Sequence, residues 1–314
     1  MIDARRSLLL HGGIVACLAL LAATLPAYHA GNLTRILVLA VYAMGYNLLF
    51  GYTGLLSLGH ALFFAAGMYG FGLSAALGGL SAGAALLAGV AAAALVAGLT
   101  GALALRTRDV AFMIVTLMFA QAGYLTILYL GTWTRGDEGF VLPAAARRLA
   151  GFDLRGDGAR LVAALTLFSA CFLATAALTG SRLGRTLIAI RENEERARML
   201  GYDTARLKLV AVVLSGTLSG LAGAAYAMLF GYVGASFATV QYSILPLLWV
   251  LLGGAGTTVG PLVGVALMFY LIDWSSRVTD AYMLVAGAAL IGLTLFAPQG
   301  VAGLIRRKAA PWLP

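Results

Sequence analysis

The chain has 314 residues, of which 61% are hydrophobic and 11% charged, with a formal net charge of +9. A typical soluble chain carries about 25% charged residues, and here no Asp, Glu, Lys or Arg occurs from Ile36 to Leu105, Leu209 to Ile272 or Ala281 to Ile305. Uncharged runs of that length exclude a soluble domain with a large core and indicate an all-α integral membrane protein, whose basic excess gives no reason to invoke nucleic acid.

A spanning helix needs roughly 20 apolar residues, so the runs convert into spans in chain order. One span precedes Arg35, three fill Ile36–Leu105, and one each fills Val110–Thr134 and Leu161–Ser181. Three more fill Leu209–Ile272 and one fills Ala281–Ile305, about ten helices in a single transmembrane domain, 1–314. The first segment has the basic start and small-residue end of a signal peptide, yet in a polytopic chain a retained helix is expected. Cys17 and Cys171 fall in separate spans and suggest neither a disulfide framework nor a metal site.

The second and third spans are joined by "YNLLFGYTGLLSLGHALFFAAGMYGFG", where Asn47, Thr53, Ser57 and His60 sit among helix-weakening glycines. Freed backbone groups at membrane depth are tolerated when buried in protein or lining a wet cavity, and transporters place interrupted helices beside the translocation route. These four residues are therefore candidates for the pathway, with interhelical hydrogen bonding as the alternative. His60 as a pH-sensitive gate is a further option, beside a neutral buried histidine.

Two polar segments separate the later spans. The first, 131–160, is an outer loop whose Asp137 and Glu138 could frame the outer mouth or meet a binding protein, or belong to a solvated turn. The second, 181–208, is cytoplasmic. It has no Gly or Pro from Arg185 to Leu200 and is rich in helix formers. Gly201 is placed as its stop and Asp203 as the cap of the next helix. Leu187, Ile190, Ala197 and Leu200 form an apolar remnant among both charge signs, as on a docking surface, with a charged cytoplasmic connector as the alternative. With the termini inside, fourteen basic residues face the cytoplasm and seven the other side, so both termini are expected to be cytoplasmic.

Beyond this segment, Gly256, Gly260 and Gly264 recur every fourth residue, as do Gly216, Gly220 and Ala224. Such stripes predict close helix packing. Thr257 or Thr258 could cap the ninth span, with Pro261 in its first turn. Asp273 and Arg277, four apart, read as an interfacial pair rather than a proton relay. "LFGYTG" at Leu49 is echoed by "LFGYVG" at Leu229, and an offset of five spans inverts orientation, as in inverted repeats.

"IRENEERARMLGYD" resembles the cytoplasmic coupling segment of ATP-binding cassette (ABC) permeases, Glu-Ala-Ala, three residues, then Gly. Glu195, Ala197 and Gly201 match, and Arg196 departs. "GYTGLLSLGHALFFAAGMYG", "FMIVTLMFAQ…TRGDEGF" and "GGAGTTVGPLVGVAL" follow the order seen in branched-chain amino-acid ABC transporter permeases. The resemblance is to the LivM-type membrane subunit, and Arg135 and Glu138 depart from the family pattern. It implies an ABC importer permease fold. It also implies a multi-pass chain in the bacterial inner membrane, paired with a sister permease, two cytoplasmic ATPase subunits and a periplasmic solute-binding protein. Arg191, Glu192, Glu195, Ala197 and Gly201 would lie in the ATPase-coupling region. Branched-chain or other amino acids are the implied cargo, with urea or short amides as alternatives. ATP and Mg would be held by the partner subunits, since the chain has no G-x-x-x-x-G-K-[ST] loop. An ion-coupled secondary transporter would place ionisable groups within its spans, and the long gaps contain none except histidine. A membrane enzyme would need a convergent set of nucleophile, base or metal ligands, which His11, His29 and His60 do not supply.

Overall fold

The computed structural model describes residues 4–149, 151–281, 284–285, 287–288, 291–292, 295 and 299–308. Pro26, extended at φ −57° and ψ 153°, separates α1 (Ala4–Thr24) from α2 (Ala27–Asn47). Proline has no N–H to donate and disfavours helix in the residue before it, so α2 begins well ahead of Arg35. Arg35 therefore lies within a helix rather than at a span boundary, its guanidinium over the Phe230 ring at 5.6 Å. The rest of α2 is buried almost throughout and forms the centre of the bundle.

A π-helical turn, Leu48–Tyr52, ends this helix, followed by α3 (His60–Ala76), α4 (Ala82–Ala104) and α5 (Asp109–Tyr129). Beyond α6 (Gly131–Thr134), the loop that leads to α7 holds β1 (Phe140–Val141), β2 (Arg148–Leu149) and β3 (Phe152–Asp153). Then come α7 (Asp157–Gly180), α8 (Arg182–Glu192), α9 (Glu194–Met199) and α10 (Thr204–Phe230). After β4 (Tyr232–Val233), α11 (Val240–Gly253) and α12 (Gly260–Ser275) complete the bundle, and a last helix runs from Gly300 to Lys308. Ala27–Tyr52, α4, α5, α7 and α10 are long and apolar enough to cross a membrane, while Leu10–Thr24, α3, α11 and α12 are shorter apolar helices. The expected last span, 281–305, lies partly outside the described residues.

Small residues set how closely α3, α4 and α10 approach. A Cβ at Gly220 would lie 2.0 Å from that of Ala93 in α4, and one at Gly67 would lie 2.0 Å from the Gly220 carbonyl oxygen. Gly216 meets Ala97 and Phe63 in the same way, so the Gly216, Gly220, Ala224 stripe is a packing surface. Around α2 the filling is aromatic: Tyr42, Tyr46, Phe64, Phe71, Phe168 and Phe172 are all fully buried.

The 131–160 loop is sewn onto the bundle. Phe140–Val141 pairs antiparallel with Tyr232–Val233, and Arg147 donates from Nη2 to the Leu229 carbonyl at 2.6 Å and from Nε to that of Met228 at 3.3 Å. Those are end-of-helix carbonyls of α10, which otherwise lack intrahelical partners. The Asp273–Arg277 pair forms at 3.1 Å and is joined by Tyr28, whose hydroxyl reaches Asp273 at 2.5 Å.

Two local expectations change. The helix expected from Arg185 to Leu200 breaks at Asn193, which is extended (φ −160°, ψ 100°) and accepts the Arg196 N–H at 2.8 Å. An Asn side chain offers the backbone this alternative to helix without any Gly or Pro. The two "LFGY" copies also differ: Gly51 lies in the π turn, whereas Gly231 ends α10 in the left-handed region at φ 74°. The echo does not correspond to a shared local conformation.

Candidate functional site

The four candidate pathway residues are buried, and two of them, Asn47 and His60, bind separate segments together. Asn47, in the last turn of α2, donates from Nδ2 to the Thr257 carbonyl and accepts the Gly256 N–H at Oδ1, both at 2.9 Å. It thereby clamps the turn between α11 and α12. Thr53 Oγ1 donates to the Leu48 carbonyl at 3.0 Å and closes the π turn. His60 opens α3 and contacts Ser215 of α10 at 2.8 Å through Nε2. Because the Ser215 hydroxyl proton goes to the Gly45 carbonyl at 2.6 Å, His60 is the donor in this contact. Its Nδ1 is buried without a hydrogen-bond partner among the described residues, and its ring lies 4.6 Å from that of Tyr46.

Ser57 accepts the Gly59 N–H at 3.2 Å and borders a small pocket with Leu49, Gly59, Phe112, Thr116 and Val212. Thr116 of α5 accepts the Leu58 N–H at 3.1 Å, and a Cβ at Gly59 would lie 2.5 Å from its carbonyl oxygen. Helix α5 thus crosses the interrupted segment directly while presenting Val110, Ile114, Met118 and Leu125 outward. Sequence reasoning did not single out Ser215, Ser243 or Thr116, which supply the side-chain partners of His60, Ala61 and Leu58. Ser243 Oγ, for example, accepts the Ala61 N–H at 3.0 Å.

The turn before α12 corrects the glycine reading. Gly256 lies outside α12 with φ 75°, so Gly256, Gly260 and Gly264 do not share one helix face. A left-handed turn there lets its N–H meet Asn47. Gly260 faces the Gly254 carbonyl, and a Cβ at Gly264 would sit 1.8 Å from the Trp249 carbonyl oxygen. Thr257 accepts the Gly260 N–H at 3.1 Å from two positions ahead of Val259, the N-cap of α12, and Thr258 contacts His11 at 3.0 Å, so neither threonine is the N-cap itself.

At the other end of the chain's polar chemistry, helices α8 and α9 divide their faces. Ser181 and Asp203 cap α8 and α10, and Gly201 ends α9 at φ 88°. Leu187, Ile190 and Ala197 are buried against the bundle, whereas Leu200 is 72% and Met199 85% exposed. The apolar remnant is therefore not one surface: its first three members hold the segment in place and the fourth faces outward. Glu192 and Glu195 are exposed as well. Arg191 donates to the Gly51 carbonyl. In the outer loop Asp137 and Glu138 are exposed, and the Glu138 carbonyl accepts from Tyr232 Oη at 2.9 Å.

Helix α9 is tied to α10 by Glu194, which pairs with Lys208 at 2.5 Å and Arg198 at 3.2 Å. Burial alone would raise the Glu194 carboxyl, but hydrogen bonds from Lys208 and Thr204 and the nearby positive charges hold it below its ordinary value. A depressed carboxylate stabilises the folded form fully above the unfolded-state range, and that stabilisation is lost as pH falls through the lower folded-state value. Hydrogen exchange across 194–200, corrected for intrinsic rates, is expected to show α9 loosening on acidification through that range. Glu194→Gln should be looser at neutral pH and lack this acid transition. An identical pH profile in the variant would remove the pair as the cause.

Residues 29–294 match the family model described as branched-chain amino acid transport system, permease component. The high-affinity branched-chain amino acid transport permease proteins LivM of Salmonella typhimurium LT2 and Escherichia coli K12 are each 29% identical over 295 residues, covering 87% of this chain and 69% of theirs. The autoinducer 2 import permease protein LsrC of Escherichia coli K12 (DH10B) is 30% identical over 164 residues, covering 49% of this chain and 46% of its own. No solved structure matches the chain significantly.

Proposed function

The chain belongs to the branched-chain amino acid transport system permease family, and on that premise we propose that it is one permease subunit of an ABC importer. It pairs with a sister permease in the bacterial inner membrane to form the route for branched-chain or other amino acids. A periplasmic binding protein delivers the solute, and two cytoplasmic ATPase subunits, holding ATP and Mg, power the cycle. The layout is about ten spans with both termini cytoplasmic, supported by the charge bias of the loops.

The observation that carries this reading is the divided face of α8 and α9. Three apolar residues anchor the segment while Glu192, Glu195, Met199 and Leu200 are presented to solvent. An exposed apolar patch rimmed by charge is the form a protein contact takes. A polar cargo other than an amino acid is the second reading, favoured by the partial match to a permease of autoinducer 2 import.

Purification of the tagged chain from its native membrane in mild detergent is expected to recover a second polytopic permease and P-loop ATPases, identified by mass spectrometry. The recovered binding protein can then be screened for bound amino acids, amides, urea or sugars. Recovery of this chain alone, where a known ABC complex survives, would sink the importer reading and favour an ion-coupled transporter.

A further inference from the structure

The last turns of α2 meet three other segments within a few residues. In the π turn the Leu55 and Gly54 N–H groups go to the Leu49 and Phe50 carbonyls, and the next carbonyl, that of Gly51, accepts from Arg191 of α8. The arginine stem lies among glycines. A Cβ at Gly54 would be 2.9 Å from Arg191 Cγ, and one at Gly256 would be 2.9 Å from Arg191 Nη1 and 3.0 Å from the Gly51 carbonyl oxygen. A Cβ at Gly51 would in turn strike Asn47 Oδ1 at 2.0 Å and the Gly256 nitrogen at 2.5 Å.

One side chain of the cytoplasmic helix pair is thus fixed to the end of the central transmembrane helix. Asn47 extends the contact to the turn before α12. Two residues further back, the Gly45 carbonyl holds Ser215 and through it His60 at the start of α3. A hydrogen bond from an ionised donor is about twice as strong as a neutral one, so a tilt of α8 would carry the end of α2 with it. Asn193, the break between α8 and α9, lies just beyond this attachment.

We infer that Arg191 is a positioning residue that transmits movement of the α8–α9 pair into the transmembrane bundle, through the Gly51 carbonyl to α2 and through Asn47 to the α11–α12 turn. This rests on the importer reading. It assigns Arg191 an inward role, distinct from the outward patch of Glu195, Met199 and Leu200.

The test is the ratio of solute taken up to ATP hydrolysed, measured on the whole complex reconstituted in liposomes with its binding protein. Arg191→Gln is expected to lower that ratio roughly 3- to 30-fold, the range that single residues within such coupling networks produce. Arg191→Lys, which restores one charged donor, should recover part of it, and Arg185→Gln should leave it unchanged, because Arg185 is exposed on the same helix and makes no bond to the π turn, whereas exposed Arg191 does. Asn47→Ser should also lower the ratio, and Arg191→Gln combined with Asn47→Ser should be no worse than the more severe single change, because both cut one path. A wild-type ratio in Arg191→Gln, or an equal loss in Arg185→Gln, overturns the inference while leaving the importer reading intact. A wild-type preparation without ATPase subunits overturns the importer reading itself.

Discussion

Gly264→Leu is expected to prevent recovery of a folded, monodisperse chain from detergent. The position lies one turn into α12, and a Cβ there would be 1.8 Å from the Trp249 carbonyl oxygen of α11, with the Gly253 nitrogen 2.9 Å away. The obstacle is backbone, so no side-chain rotation relieves it, and the two helices must separate. The facing glycine offers no slack, since a Cβ at Gly253 would be 1.9 Å from the Gly260 carbonyl oxygen. Inserting bulk into a packed interior costs about 1–3 kcal/mol where neighbours can give; here the upper end or more is expected. Against a net stability of about 5–15 kcal/mol, a loss of that size removes much of the margin. Separation would also pull the 254–259 turn from Asn47 and from Arg191. Gly264→Ala should show a lower thermal midpoint with some folded protein, and Gly12→Leu, where a Cβ meets nothing within 4 Å, should match the parent. Equal yields and midpoints for Gly264→Leu and Gly12→Leu would disprove the packing assignment.

That contact was only half legible from the sequence. A four-residue glycine spacing announces close helix approach, yet it does not say where the helix begins, and Gly256 belongs to the turn because its backbone sits at positive φ. Signals that act locally came through: the uncharged runs, the Asp203 cap, the stop at Gly201, and the Asp273–Arg277 pair. Signals that need a distant partner did not. Asn47 and Gly256 are 209 positions apart, and nothing near Asn47 distinguishes a clamp from a residue lining a route. The break at Asn193 was missed because it arises from a side-chain hydrogen bond, whereas Gly and Pro are the punctuation a sequence displays. The division of the 181–208 segment between buried Leu187 and Ala197 and exposed Leu200 likewise depends on tertiary packing, in which Leu187 of α8 joins Leu49, Phe63 and Val212.

The outward half of that segment carries the other large effect. Met199 and Leu200 are 85% and 72% exposed, so replacing both with aspartate removes little from the chain's own core. Near the end of a short helix, added negative charge is mildly unfavourable, by about 0.3–1 kcal/mol, too little to unfold the bundle. At a protein contact the balance differs. Fully burying one such side chain is worth about 1.5–3 kcal/mol, and a carboxylate taken out of water without a partner costs more than the apolar contact it replaces. Losing both contacts therefore reaches several powers of ten in affinity, at 1.4 kcal/mol per tenfold. Met199→Asp with Leu200→Asp is accordingly expected to purify as a folded permease, still paired with its sister subunit, but stripped of ATPase and at least about 100-fold reduced in uptake. Met199→Gln with Leu200→Gln separates the two contributions: retained partial uptake assigns the remainder to charge, while complete loss assigns the contact to apolar area. If the aspartate pair keeps both its ATPase subunits and its uptake, the exposed face of α9 is not where the chain meets its motor, and the contact must be sought on another cytoplasmic surface.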